Sequence, residues 1–197
     1  MFVVDPKENP ETGEQTRPFC MICHPKTGSQ SMQHVLRKQF SARPVRGMHY
    51  IDEEECHRIT GQGGIVACTV RNPWDLMVSW YFYSRHDPKP NWGGTIEDFK
   101  TWLLRTLIAG NGWIEKGLFY GADFCNRIFR FEHNLELQLN NCLIDCGLEP
   151  VDFPHISKTD HTHYSDYYDS ETAAAVGVKF ANEIIQWGYR FESRKNN

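Results

Sequence analysis

One segment, Phe19-Cys-Met-Ile-Cys-His-Pro-Lys-Thr-Gly-Ser-Gln-Ser31, constrains the chain more than any other. An apolar run, Phe19 to His24, reads as a buried strand; a Pro-Lys-Thr-Gly turn breaks it, and Ser29 to Phe40 resumes as a helix with Met32, Val35, Leu36 and Phe40 on one face. A strand that turns directly into a helix leaves the helix's first N–H groups and the positive end of its dipole over the turn, where they favour phosphate or sulfate. Gly28 permits the tight turn and Lys26 adds a mobile positive charge. The spacing is not the Gly-x4-Gly-Lys-Ser/Thr of nucleoside triphosphatases, so any ligand expected at Lys26 and the helix start over Ser29, Gln30 and Ser31 is an anion other than a simple ATP–magnesium pair; the plainer alternative is an ordinary strand-to-helix loop with a solvated lysine.

The same alternation continues along the chain. A Pro- and Arg-containing connection (41–47) and a short Met48-His49-Tyr50 segment lead to an acidic helix over about 52–59, which Gly61-Gln-Gly-Gly64 ends. Ile65 to Val70 is a second buried strand. Asn72 as cap, Pro73 at the first helical position and Asp75 in the first turn open a helix predicted to reach about Ser84. After a Pro/Gly loop (87–94), Thr95 and Asp98 resemble a capping box before Ile96, Phe99, Leu103 and Leu107. Arg127 to Phe131 reads as a third strand, and amphipathic helices follow over about 133–146 and 170–187. Strands alternating with helices predict an α/β domain with a mainly parallel sheet. The expected organisation is a polar arm (1–18), one domain (19–192) and a tail (193–197), the first seventeen residues and the last four being poorly ordered.

In sheets of this kind ligands sit beyond the carboxyl ends of the strands, where both the Lys26 turn and Arg71 fall. Arg71, Asp75 and Ser79 are spaced by four, so guanidinium and hydroxyl share one stripe and can meet one phosphate monoester. The plainer alternative is a surface ion pair between Arg71 and Asp75.

Composition narrows the partners. A net charge of −4 and a pI near 6.1 give no basic field for nucleic acid or anionic membrane. No run of about 18 apolar residues is present to span a bilayer, and the N-terminus lacks a basic-then-apolar leader; the expectation is a soluble, cytoplasmic chain. Seven cysteines, several in apolar runs, read as reduced packing residues. Two alternatives compete for them. Cys20-x-x-Cys23-His24 fits a haem attachment pattern, although it sits on an apolar strand without a leader. Cys20, Cys23, Cys142 and Cys146 suffice in number for zinc, but strand alternation points Cys20 and Cys23 to opposite faces.

Taken together, Pro25-Lys-Thr-Gly-Ser-Gln-Ser31 and Thr69-Val-Arg-Asn-Pro-Trp-Asp-Leu-Met-Val-Ser-Trp-Tyr81 resemble the two cofactor motifs of sulfotransferases that use 3'-phosphoadenosine-5'-phosphosulfate (PAPS). The likeness is closest to the branch with carbohydrate sulfotransferases and short microbial or viral relatives. Phe129-Arg-Phe-Glu-His-Asn-Leu135 is similar to that branch's Tyr-Glu-Asn-Leu segment, and Tyr164 to Glu192 resembles its C-terminal helix and ending. The resemblance spans about residues 19 to 192. It implies a P-loop-like three-layer fold, with a central, mainly parallel sheet between helices. It also implies that Lys26 contacts the bridging oxygen of the phosphosulfate, that Thr27 to Ser31 hold the 5'-phosphate and that Arg71 and Ser79 hold the 3'-phosphate. Gln30 departs from the family's usual hydroxyl residue, but its amide still donates.

The implied reaction moves a sulfuryl group from PAPS, leaving PAP, to an acceptor hydroxyl on a glycan, sugar or small metabolite, with no obligatory metal. It needs in-line placement, positive charge on the leaving oxygen and a base. His49 is the base the resemblance favours, lying between the first helix and the strand before Arg-Asn-Pro; Glu132, Asp52 and Glu53 are the alternatives. Of the aromatics Trp80, Tyr81, Tyr83, Trp92, Trp102, Trp113, Phe119 and Tyr120, most read as core and some of the later ones as walls of an adenine or acceptor pocket. A fold that binds the nucleotide without turnover is the remaining alternative.

Overall fold

The computed structural model describes residues 1–8, 13–45, 51–86, 97–110, 118–154, 156 and 161–194. They fall into two compact units, Met1–Val70 with Phe119–Ser157, and Arg71–Leu118 with Lys158–Asn197.

The first unit is α/β, built on a five-stranded sheet whose strands lie in the order Arg43–Pro44 (β3), Phe2–Val4 (β1), Phe19–Ile22 (β2), Ile65–Val70 (β4) and Arg127–Arg130 (β5). Its centre is formed by β2 (Phe19–Ile22) and β4 (Ile65–Val70), which pair in parallel, and β5 (Arg127–Arg130) extends it in parallel beside β4. Every residue of β2 and β4 is buried, as strands covered on both faces require. Phe19, Met21 and Cys23, with Ile65, Ala67 and Phe129, meet Met32, Val35 and Leu36 of α1 (Ser29–Phe40) and Leu139, Cys142 and Leu143 of a later helix (Leu135–Asp145). Against β2 and β4 packs α2 (Glu53–Gly61), which buries Cys56 and Ile59.

The sheet is mixed, not mainly parallel. Phe2–Val4 forms β1, antiparallel to β2 with Val3 opposite Cys20, and Arg43–Pro44 forms β3, antiparallel to β1. The residues read as a polar, poorly ordered arm thus supply a fully buried strand, and described residues behind it are tied down. Glu8 bridges to Gln15, Thr16 N–H donates to Lys7 O, and Arg17 N–H donates to Cys146 O. Three apolar residues give no usable period by themselves; what makes Phe2–Val4 a strand is the free edge of β2, which is distant in sequence.

A network of charge braces this edge. Arg43 pairs with Asp5 and Glu55, and Arg58 pairs with Glu55 at 2.7 Å. Hydrogen bonds from Arg58 and then Arg43 outweigh burial and hold the Glu55 carboxyl at about 2, down from 4.5. A depressed carboxyl stabilises the fold above its unfolded pKa and loses that contribution as pH falls from about 4.5 to about 2. Because both arginines are substantially exposed, the expected worth is about 1 kcal/mol. Glu55→Gln should therefore lower stability at pH 7 by about that much and flatten its dependence on pH across that window; parallel urea-denaturation profiles for variant and parent would refute this.

The second unit, in its described residues, is helical: α3 (Pro73–His86), α4 (Phe99–Ala109), a pair covering Ser170–Lys179 and Ala181–Trp187, and a 3-10 turn at Tyr164–Tyr167. Numbered in chain order, the helix Leu135–Asp145 of the first unit is α5, and this last pair is α6 and α7. Asp98, whose carboxylate accepts from Thr101 N–H, caps α4; Thr95 lies outside the described residues, as does the 87–94 loop. The helix expected over 170–187 is two, because Phe180 takes ψ 31° between them. Its apolar period at Ala173, Val176, Phe180 and Ile184 persists through the break, so periodicity alone does not reveal it.

Candidate anion-binding site

In the first unit the turn 25–28 carries two alternate residues with positive φ at the start of α1. Lys26 sits at φ 62°, a left-handed conformation that non-glycine residues rarely hold, and Gly28 follows at φ 77°. Gly28 suits this position because its φ is positive; a Cβ there would lie 2.9 Å from Leu135 Cδ1, the movable end of a side chain. Thr27 is buried and its hydroxyl donates to His24 O at 2.9 Å, closing the turn from within. Gly28 is then the N-cap of the 12-residue α1, with no side-chain cap and no acidic residue in the first turn. The other long helices close this end themselves: Asp52 accepts from Glu55 N–H, Asp98 from Thr101 N–H and Asn134 from Leu137 N–H. Alone among these, α1 carries no side-chain cap at its start.

The residues expected to line this turn are brought together by it. Ser29 and Ser31 are buried and Gln30 is exposed. Ser31 Oγ accepts from Ile156 N–H at 3.0 Å, so the hydroxyl is fixed in place while keeping its own proton to donate. Thr69 was missed as a site candidate. On β4 it follows Ile65 and Ala67 on the face that α1 covers, one step beyond the Ile22–Cys68 pair, and its fully buried Oγ1 has no hydrogen-bond partner among the described residues. Such a hydroxyl is costly in a finished core. Only its place at the carboxyl end of the central strand could have flagged it.

Within the second unit, the stripe over Arg71, Asp75 and Ser79 forms as expected. Asn72 Oδ1 accepts from Trp74 N–H at 3.0 Å and Pro73 is the first helical residue. Arg71 Nε donates to Asp75 Oδ2 at 2.8 Å. The pair is not a surface one: the two side chains are 7% and 19% exposed, so Asp75 fixes the direction of a buried guanidinium. Ser79 is 1% exposed. The C-terminal segment locks this helix start, for Asn72 Nδ2 donates to Arg190 O, Trp74 Nε1 donates to Ala173 O at 2.9 Å, and the Tyr168 hydroxyl donates to Trp74 O at 2.9 Å.

Of the candidate bases, His49 lies outside the described residues. Asp52 is committed to capping α2, while Glu53 and Glu132 are exposed. Trp80, Tyr81, Trp102 and Phe119 are buried, Tyr83 is half-buried and Tyr120 is exposed; Trp92 and Trp113 lie outside the described residues. Tyr81, Phe99 and Trp102 pack ring against ring, which is core construction.

The thiols do not form the alternative zinc set. Cys23, Cys142 and Cys146 belong to the core under α1 and α5, whereas Cys20, on the alternate face of β2, is not part of that core. Burial pushes Cys23 up to about 12 and Cys142 and Cys146 to about 11, so these sulfurs stay protonated. His24 has both ring nitrogens against backbone carbonyls. No cluster of three or more metal-ligating side chains occurs among the described residues, and no helix there is long and apolar enough to cross a membrane. No protein-family model and no curated protein matches the chain.

Proposed function

We propose that the protein is a P-loop-like sulfotransferase that moves the sulfuryl group of PAPS to a hydroxyl on a sugar, glycan or small metabolite. The observation that carries the reading is the 25–28 turn. A strained Lys26 and a positive-φ Gly28 lead into a helix start without a side-chain cap, which is how a chain prepares for a sulfate- or phosphate-bearing ligand. The orphaned Thr69 hydroxyl at the carboxyl end of β4 fits a polar ligand, and the buried, pre-aimed Arg71 fits a second phosphate.

In this reading Lys26 and the first N–H groups of α1 bind the 5' end, while Arg71 and Ser79 bind the 3'-phosphate. PAPS supplies an activated sulfur. The acceptor oxygen bonds to that sulfur as the bond to the bridging phosphate oxygen breaks, the acceptor proton passes to a base, with His49 the candidate, and Lys26 neutralises the charge left on the phosphate. No step requires a metal. Seven thiols without a disulfide suit a reducing compartment such as the cytoplasm.

The test is calorimetric titration with PAP followed by transfer of labelled sulfate to a panel of hydroxyl acceptors. The parent should bind PAP, and Arg71→Ala should bind it about 10- to 100-fold more weakly, the range expected for one charged contact at a phosphate. Parent-like affinity in that variant would remove Arg71 from the site. PAP binding without transfer to any acceptor would leave a nucleotide-binding protein of the same fold.

A further inference from the structure

We infer that Phe191 is a positioning residue: it docks the segment after α7 onto the start of α3 and so fixes the direction in which Arg71 meets a 3'-phosphate. Arg71 stands immediately before the cap of α3, and its guanidinium takes its direction from the backbone there and from Asp75 one turn on. One side chain sets both. Asn72 Oδ1 accepts from Trp74 N–H at 3.0 Å and from Asp75 N–H at 3.4 Å, while its Nδ2 donates to Arg190 O at 3.3 Å. Turned over, that amide would set its NH2 against two N–H groups and its oxygen against a carbonyl. The Arg190 carbonyl therefore holds the cap the right way round, and the ring of the next residue holds Arg190.

Phe191 lies edge-on to three rings, its centroid 5.7 Å from that of Trp74, 5.7 Å from Tyr164 and 5.6 Å from Tyr168. All three are buried, and the Tyr168 hydroxyl donates to Trp74 O, so the cage includes the first turn of α3. Past the ring, Glu192 N–H donates to Tyr164 Oη at 2.8 Å and Arg194 N–H donates to Ser165 Oγ at 3.4 Å. Phe191 itself is half-buried between two exposed residues, Arg190 and Glu192, so shortening it releases the segment more than it hollows the unit. A charged side chain held in place before its ligand arrives loses less freedom on binding. The phosphate half of the inference rests on the proposed PAPS reading; the docking half does not.

Phe191→Ala should weaken binding of PAP about tenfold, the cost of ordering one long side chain. Binding of AMP, which lacks the 3'-phosphate, should not change, and with PAPS the KM should rise while kcat stays near that of the parent. Asn72→Ser keeps a capping oxygen but loses the donor to Arg190, and should show the same split. It cuts the link from the other side, so the result does not depend on the alanine variant folding. Equal losses for PAP and AMP would make Phe191 a packing residue only, and parent-like PAP affinity in either folded variant overturns the phosphate half. The docking half is read without nucleotide. In proton–nitrogen spectra of the parent, the Arg71 Nε–H buried against Asp75 should exchange slowly, assigned by its loss in Arg71→Ala, and Phe191→Ala should speed that exchange. Equal exchange in parent and variant overturns the docking half. Faster exchange in the variant of a protein that binds no PAP would refute the PAPS reading and leave the docking standing.

Discussion

Replacing Lys26 by glycine is expected to make the protein more stable and to silence it. Lys26 holds a positive φ that costs an ordinary L-residue about 1 kcal/mol, and glycine takes that conformation freely. Relief of the strain should raise the unfolding free energy by up to about 1 kcal/mol, net of glycine's greater freedom in the unfolded chain. Sulfuryl transfer should fall by about 100- to 1000-fold, the usual loss when one preorganised charge at a leaving oxygen is removed. PAP affinity should change far less than turnover, because the charge Lys26 meets is largest in the transition state. Lys26→Ala should lose transfer equally without gaining stability, since alanine at φ 62° keeps the strain. Unchanged transfer in either variant would refute the role given to Lys26. A glycine variant less stable than the parent would mean that the left-handed conformation is not a store of strain.

That prediction joins two levels, and only one is legible in the sequence. Lys-Thr-Gly after an apolar run announces a turn and a positive charge. That Lys26, and not only Gly28, carries positive φ depends on the closure of the turn by Thr27 onto His24, which no spacing reveals. The start of α3 was readable for the opposite reason: Asn72, Pro73 and Asp75 act within one turn, so local chemistry decides the outcome. The Arg71–Asp75 pair was readable in its geometry but not in its burial, because the C-terminal segment that covers this helix start through Trp74 and Asn72 is about a hundred residues away in sequence. The β1–β3 edge failed to announce itself for the same cause. His24 is the clearest case. In sequence it completes a haem pattern, and only the convergence of two carbonyls, from Thr69 and Tyr120, gives its ring another occupation.

The largest expected effect on stability lies where the two parallel strands begin. Gly64 N–H donates to Ile59 O at the end of α2, and Ile65 N–H donates to Pro18 O at the entry to β2. A Cβ on Gly64 would stand 2.4 Å from Pro18 O, 2.7 Å from Pro18 Cγ and 2.8 Å from Ile59 O. Two of these are backbone atoms, which no side-chain rotation can move aside. Gly64→Ala must therefore spread the α2–β4 junction from the start of β2 and weaken both hydrogen bonds, at a cost of about 3 kcal/mol or more. For a chain of this size that corresponds to a fall of about 10 °C in the unfolding midpoint. Gly61, three residues earlier at the end of the same helix, is the control, because a Cβ there meets nothing within 4 Å. Gly61→Ala should be neutral or stabilising by up to about 1 kcal/mol, since alanine is the better helix former. Equal midpoints for the two variants in thermal denaturation would show that this junction has room the structure does not give it.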